Sequence, residues 1–238
     1  MENKIIQGLW IGPQLSVMEK LSISSFLANG HDYHLYVYDE VKSIPKGAII
    51  KDASRVLPAS MIFQYKHHKS YAGFSNYFRY KLLLEKGGWW ADTDIICLKP
   101  FEFDTEYIFS TESSRGELVT TTGAIKCPPA SPVMVCAWET CQKMDSAALV
   151  WGQVGPKLLS QLVKQFSLES YLKSYQVFCP FGFEDWEMVL DSNPTWNFDD
   201  STYAIHLWNE MWRRRGQDKD QPFHPQCLYE QLKRKYLK

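Results

Sequence analysis

Short apolar runs alternate with helix-spaced apolar positions from the start of the chain. Ile5-Ile6-Gln7-Gly8-Leu9-Trp10-Ile11 reads as a buried first strand, ended by Gly12-Pro13. Ser16 then caps a helix running towards Asn29-Gly30, a C-terminal stop. Residues 33–38 predict a second strand with Asp39 at its end, and residues 43–68 carry no clear period. From Ser70 a stronger helix begins, with Tyr71, Phe74, Phe78 and Leu82 as its core stripe and Gly87-Gly88 as its end. Trp89-Trp90-Ala91 enters a strand that stops at Asp92-Thr93-Asp94, and Ile95-Ile96-Cys97-Leu98 resumes the extended pattern. Further strands are predicted at 107–110, 118–125 and 203–207, with helices from Ser131 to about 144 and from Gly155-Pro156. Strands alternating with helices in this order predict an α/β sheet sandwiched by helices, with sites at strand C-terminal ends.

A chain of 238 residues is long enough to bury a full core as one domain. Lys and Arg total 26 against 27 Asp and Glu, so the strong basic excess of a general nucleic-acid binder is absent. At 45% hydrophobic and 22% charged residues, wholesale disorder is excluded. Aromatics reach 15%, a density found where proteins bind sugars or nucleotides, though for most of these rings core filling is the expectation. No stretch approaches the ~20 apolar residues that span a bilayer. Met1-Glu2-Asn3-Lys4 and its short apolar run lack the h-region of a signal peptide, which makes a soluble, cytoplasmic protein the expectation. The six cysteines show no Cys-x-x-Cys or zinc spacing and read as reduced, mostly buried small hydrophobes. Charge is uneven: residues 213–238 hold eight basic and three acidic residues, net +5, against −6 for the remainder. That predicts a basic C-terminal helix, either a solvated face or a peripheral contact with an anionic membrane surface or acceptor.

Chemistry concentrates in Ser75-Asn76-Tyr77-Phe78-Arg79-Tyr80 through Gly87-Gly88-Trp89-Trp90-Ala91-Asp92-Thr93-Asp94. Two carboxylates one residue apart at a strand end can converge on a hard divalent cation and leave positions open for phosphate oxygens. A lone Asp-x-Asp is weak, because turns are rich in Asp. Here it follows a long helix, a double-Gly stop and an apolar strand entry. Arg79 shares a helix face with Ser75 and Asn76, so its guanidinium can reach a diphosphate or sugar hydroxyl, pair with one of the aspartates, or do both. In Ala204-Ile205-His206-Leu207-Trp208-Asn209, a neutral imidazole at a strand end can complete a mixed carboxylate–His metal site.

Together these segments resemble the DXD-motif sugar transferases of glycosyltransferase family 32, and the resemblance covers most of the chain. It runs from Leu9-Trp10-Ile11-Gly12 through the Ser75…Asp94 block and Gly155-Pro156-Lys157-Leu158-Leu159 to His206-Leu207-Trp208-Asn209. It implies a single GT-A domain over 1–238. Residues of about 1–100 would form the nucleotide-sugar half, about 101–212 the acceptor half and about 213–238 a basic helical tail. It further implies a retaining transfer from a nucleotide-diphosphate sugar, UDP favoured over GDP, with Mn²⁺ or Mg²⁺. Asp94 resembles the direct metal ligand, Asp92 a bridge between metal and donor hydroxyls, His206 the third protein ligand and Asn209 a metal or diphosphate contact. Trp10 is similar to the Trp that lies against the base, and Arg79, beside Ser75, to the Arg gripping the donor. Asn76 departs from the family, which usually has an Asp there contacting sugar hydroxyls. The acceptor implied is a glycan or lipid-linked oligosaccharide in surface polysaccharide synthesis, at the inner face of the plasma membrane.

Three rival functions share parts of this pattern. Haloacid-dehalogenase phosphotransferases also use Asp-x-Asp after a strand, but want Thr or Val where Ile96 stands, early in the chain. A sugar-nucleotide or glycan-binding module without turnover has Asn76 in its favour and the intact carboxylates and His206 against it. A transferase acting on a protein keeps the same chemistry, with little chain left for docking a target.

Overall fold

The computed structural model describes residues 4–114, 116–193 and 198–237. Chain order begins with β1 (Ile5–Trp10), α1 (Val17–Ala28), β2 (Asp32–Val37) and β3 (Ile49–Asp52). It continues through α2 (Ala72–Lys86), β4 (Gly88–Ala91), β5 (Ile95–Cys97), β6 (Ile108–Ser114) and β7 (Glu117–Cys127). The helices α3 (Pro132–Lys143), α4 (Leu158–Gln165) and α5 (Tyr175–Phe178) follow. Last come β8 (Ala204–His206), α6 (Asn209–Arg215) and α7 (Leu228–Tyr236).

Six strands form a mixed sheet in the order β3-β2-β1-β4-β7-β6, and β5 pairs with β8 in a separate two-stranded ribbon. β1 to β4 run parallel, β7 runs antiparallel to β4, and β6 runs antiparallel to β7 and so in the direction of β1 to β4. Strand alternation decides the layers. Leu9, Tyr36 and Trp90 point to one face and meet α2, α3 and α4 through Phe74, Phe78, Met134 and Leu159. Ile6, Leu35 and Trp89 point to the other and meet α1 and α5 through Ile23, Phe26 and Phe178. A third cluster joins the far side of α1 (Met18, Leu21) to the ribbon (Ile96, Ile205), α6 (Trp212) and α7 (Leu228, Tyr229, Leu232). This is an α/β sheet flanked by helices, as expected.

Several local expectations hold. Ser16 caps α1 in a full capping box, its hydroxyl accepting from Met18 N while Glu19 Oε2 accepts from Ser16 N at 2.8 Å. Gly87 and Gly88 end α2 with positive φ. All six cysteines are free, five of them buried and Cys136 half-buried.

Others differ. Tyr71 is not in the core stripe: it precedes the first turn of α2 and is 37% exposed, while Phe74, Phe78 and Leu82 are fully buried. Residues 43–68 do contain a strand, β3, whose Ile49 and Ile50 lie exposed on the sheet edge and so leave no apolar period. Residues 95–98 do resume the extended pattern, as β5, but in a separate ribbon: the chain turns at Asp92–Asp94 and pairs with β8. Gly155-Pro156 lies in an irregular turn, and α4 starts at Leu158. The basic segment is the end of α6, a connecting stretch and α7, and α7 packs into the third cluster. Met1 to Asn3 and Lys238, which entered the terminal expectations, lie outside the described residues. Among the described residues, no helix is long and apolar enough to cross a membrane.

Candidate active site

Because β1 and β4 are parallel neighbours, Trp10 at the end of one and Asp92 just past the other emerge at the same sheet edge. α2 runs beneath that edge and brings Arg79 to it. Arg79 is 3% exposed, and its guanidinium makes four hydrogen bonds. Nη2 donates to Asp92 Oδ1 at 2.8 Å and Ser75 Oγ at 2.9 Å, Nη1 donates to the Thr122 carbonyl, and Nε donates to the Ser75 carbonyl at 3.3 Å. Its Cζ lies 4.9 Å from the Trp90 ring centroid. Trp90 Nε1 donates to the same Asp92 Oδ1 at 2.8 Å. Arg79 therefore pairs with Asp92, and the backbone N of Asp92 is fixed to the Gly123 carbonyl at 2.8 Å.

Asp94 is held from the other end of the chain. The β5–β8 ribbon sets Ile95 opposite His206, which places the imidazole beside Asp94, with Nε2 3.2 Å from Oδ1. Leu207 N donates to the Asp94 carbonyl at 2.9 Å. Trp208 then takes a left-handed conformation (φ 55°), a conformation costing roughly 1–2 kcal/mol for a non-glycine residue. That turn aims the Asn209 backbone N at Asp94 Oδ2, at 2.8 Å, and lays the Trp208 ring on His206 with centroids 3.8 Å apart. Trp208 Nε1 donates to the Phe181 carbonyl at 2.9 Å, locking the ring. Behind the imidazole, Nδ1 faces Cys179 Sγ at 3.9 Å, and Gly123 leaves the space: a Cβ there would sit 3.2 Å from His206 Cε1.

The two carboxylates titrate in opposite directions. Burial, aided by the neighbouring Asp94 charge, pushes Asp92 up despite Arg79. Burial also opposes charge on Asp94, but the facing His206 and the Asn209 N–H overcome it and hold that carboxyl below its ordinary value. Burial likewise opposes charge on His206, and Asp94 outweighs it, raising the ring well above the ordinary histidine value.

One ligand atom from each of Asp92, Asp94 and His206 lies within 4.8 Å of the others. Two carboxylate oxygens and an imidazole nitrogen suit a hard or borderline divalent ion such as Mn²⁺ or Mg²⁺. Asn209 stands beside them differently: its backbone N serves Asp94, while its side-chain Oδ1 accepts from Lys219 Nζ at 2.7 Å. Asn76 is 5% exposed, its Oδ1 has no partner, and its amide packs under Gly155, where a Cβ would come within 2.9 Å of Nδ2. Trp10 is half-buried at the end of β1, with an indole N–H that lacks a partner. The residues singled out in the sequence thus converge on one edge. Sequence reasoning missed the supports: the Trp90 N–H, the Thr122 carbonyl, Gly123, the stacking of Trp208 and Lys219. Trp90 carried a signal, since it lies two residues before Asp92; Lys219 carried none.

Residues 16–114 match a glycosyltransferase sugar-binding region containing the DXD motif, and residues 147–236 match an alpha 1,4-glycosyltransferase conserved region. Human alpha-1,4-N-acetylglucosaminyltransferase is 25% identical over 150 residues, a stretch that is 56% of this chain and 41% of that protein. Among solved structures, the PaToxG glycosyltransferase superposes with a TM-score of 0.51 at 20% identity, covering 71% of this chain and 72% of that one. At that identity the likeness concerns the fold, which is GT-A.

Proposed function

We propose that the chain is a DXD-motif glycosyltransferase, a metal-dependent, retaining enzyme that moves a hexose or N-acetylhexosamine from a UDP-sugar to a glycan or lipid-linked oligosaccharide. The observation that carries the reading is the meeting of Asp92, Asp94 and His206 at the sheet edge where Arg79 and Trp10 also emerge. Binding alone does not require so dense a cluster of buried charge, which is expensive to desolvate.

Asp92, Asp94 and His206 would hold the ion. Bound there, a divalent cation offsets the charge that builds on the leaving diphosphate. His206 would join that set as a neutral imidazole through Nε2, the nitrogen that faces Asp94, because Nδ1 is turned to Cys179. Trp10 offers its ring to the base, Asn209 lies on the diphosphate side, and Ser75 holds Arg79 in place for the donor. The buried, partnerless Asn76 Oδ1 is available to a sugar hydroxyl, and an amide accepts and donates where a carboxylate only accepts. We therefore assign donor choice in part to Asn76.

UDP-hexoses carry an α linkage, and an α product, as the human relative's name states for that protein, keeps it. In the reaction we propose, the glycosidic C–O bond breaks with both electrons going to the diphosphate. The acceptor hydroxyl attacks the same face, and its proton passes to the departing phosphate oxygen.

The test is nucleotide-diphosphate release from a panel of UDP- and GDP-sugars, with Mn²⁺ and with EDTA, beside an Asp94→Ala control. One donor is expected to turn over with Mn²⁺, and to stop turning over with EDTA or with the substitution. Silence with every donor, together with no donor binding by calorimetry, would sink the reading. An inverted anomer by NMR would remove retention alone.

A further inference from the structure

One charged group at the site has no place in the reaction above. Lys219 lies in the stretch that joins α6 to α7, with its side chain 20% exposed. Its Nζ donates to Asn209 Oδ1 at 2.7 Å and also to Glu19, whose side chain is fully buried in the first turn of α1. The same ammonium lies 5.8 Å from the centroid of Trp10. Asn209 in turn holds Asp94 Oδ2 through its backbone N at 2.8 Å. A line of contacts therefore runs from the nucleotide end of the site, at Trp10, through Lys219 and Asn209 to Asp94.

The stretch that carries Lys219 is tied down on both sides. Asp220 Oδ1 accepts from Val17 N at 2.6 Å, Tyr229 Oη donates to the Lys219 carbonyl at 2.9 Å, and Gln217 N donates to the Trp212 carbonyl at 2.9 Å. An ammonium has three N–H donors, and protein groups take two of them here. One donor remains on an ammonium that lies 5.8 Å from the Trp10 ring centroid, and the Trp10 indole carries a second N–H that is buried without a partner. A Lys–Glu pair serving only to close the fold could be replaced by two packed apolar side chains without loss. What that replacement would remove is positive charge between the base platform and the carboxylates, where a donor's diphosphate must lie.

We propose that Lys219 binds the diphosphate of the nucleotide sugar, with Glu19 and Asn209 fixing its ammonium in place. The proposal rests on the glycosyltransferase reading and adds a donor contact contributed by the C-terminal stretch.

The experiment is calorimetry on the whole chain with Mn²⁺ present, using UDP, GDP, UMP and GMP as probes, with Mn²⁺ affinity measured separately by EPR. Lys219→Met leaves Glu19 buried and unpaired, so Glu19→Gln/Lys219→Met is made beside it to remove both charges while keeping an acceptor for Ser16 N. Melting curves show which variants fold. The expected result is a loss of about tenfold or more in diphosphate affinity, the scale of one charge-assisted hydrogen bond. Monophosphate and Mn²⁺ affinities should stay within about twofold of the wild type, on the footing that neither uses that bond. Equal losses for di- and monophosphates, or unchanged diphosphate affinity in the double variant, would overturn the proposal. A matching fall in Mn²⁺ affinity would also overturn it, because Lys219 would then act only through Asn209 and Asp94. If the wild type binds neither UDP nor GDP, the glycosyltransferase reading itself fails and takes this inference with it.

Discussion

Asp92 and Asp94 differ by one intervening residue, yet one has a buried guanidinium against it and the other an imidazole brought from far along the chain. The motif was legible because the two acids follow a long helix, a double-Gly stop and an apolar strand entry, whereas an Asp-x-Asp alone would read as a turn. The asymmetry was not legible, because it depends on which cation each side chain meets. Gly123 gives a test of how tightly that meeting is specified. In Gly123→Ala the new Cβ would press on His206 Cε1 at 3.2 Å and Ile95 Cδ1 at 3.3 Å. The imidazole then shifts by a few tenths of an ångström, and Mn²⁺ affinity should fall about tenfold, the size of a disturbed supporting contact at a metal site. EPR titration with Mn²⁺ checks this; unchanged affinity would show that the ring has slack. A second residue-scale prediction concerns Glu112 on β6, whose buried carboxyl is pushed up to about 7, by desolvation first, against the pull of His206 and the Phe183 N–H. Below the ordinary value of 4.5 both folded and unfolded chains hold this proton. Between there and about 7 only the folded chain does, so stability falls as pH rises through that window and stays lower above it. Glu112→Gln should melt like the wild type near the low end of the window. Above its top end the variant should be more stable by at most about 3 kcal/mol. Melting curves across that range decide it; a constant difference would mean that the carboxyl does not titrate there.

Elements that bury a face announced themselves, and those that do not stayed hidden. α2 showed its period through Phe74, Phe78 and Leu82, whereas β3 exposes both of its isoleucines and offered nothing to read. The β5–β8 ribbon was hidden for another reason: both strands were legible, but pairing between distant segments leaves no local mark. The junction from α2 to β4 sets the position of Asp92, and its two glycines should prove unequal. Gly87 has φ 60° and ψ −158°, a region that only glycine readily adopts, and an added Cβ would lie 2.4 Å from the Pro129 nitrogen. Gly88 also has positive φ, but an added Cβ would meet nothing closer than Gln7 Nε2 at 3.6 Å. Gly87→Ala should therefore cost about 3 kcal/mol or more, combining strain with a backbone clash, and Gly88→Ala roughly 1–2 kcal/mol. Urea unfolding of the two variants measures the gap. Equal losses would show that the approach of Pro129 is not what demands glycine.

At the scale of the whole molecule, three apolar clusters are joined through the sheet and α1, and the third is closed by the segment whose positive charge stood out in the sequence. Composition showed the charge but not its partners. In the fold Arg213 and Arg214 pair with Glu210, Lys233 pairs with Glu230, and Lys219 pairs with Glu19. Among the described residues of that segment, Arg215, Arg234 and Lys235 are exposed and take part in none of these pairs. The peripheral membrane contact that the net charge suggested is therefore weaker than a count of basic residues implies. At about 1 kcal/mol per unpaired cation near an anionic leaflet, three residues supply roughly 3 kcal/mol, which is weaker than millimolar binding. Screening reduces this further once the Debye length shrinks to about 8 Å at physiological salt. Sedimentation with phosphatidylserine-containing vesicles should show binding at low ionic strength, release by about 150 mM salt and no binding to neutral vesicles. The triple variant Arg215→Gln/Arg234→Gln/Lys235→Gln should lose the low-salt binding and keep donor turnover. Retention on the vesicles at physiological salt, or binding that survives in the triple variant, would mean that some other surface meets the lipid.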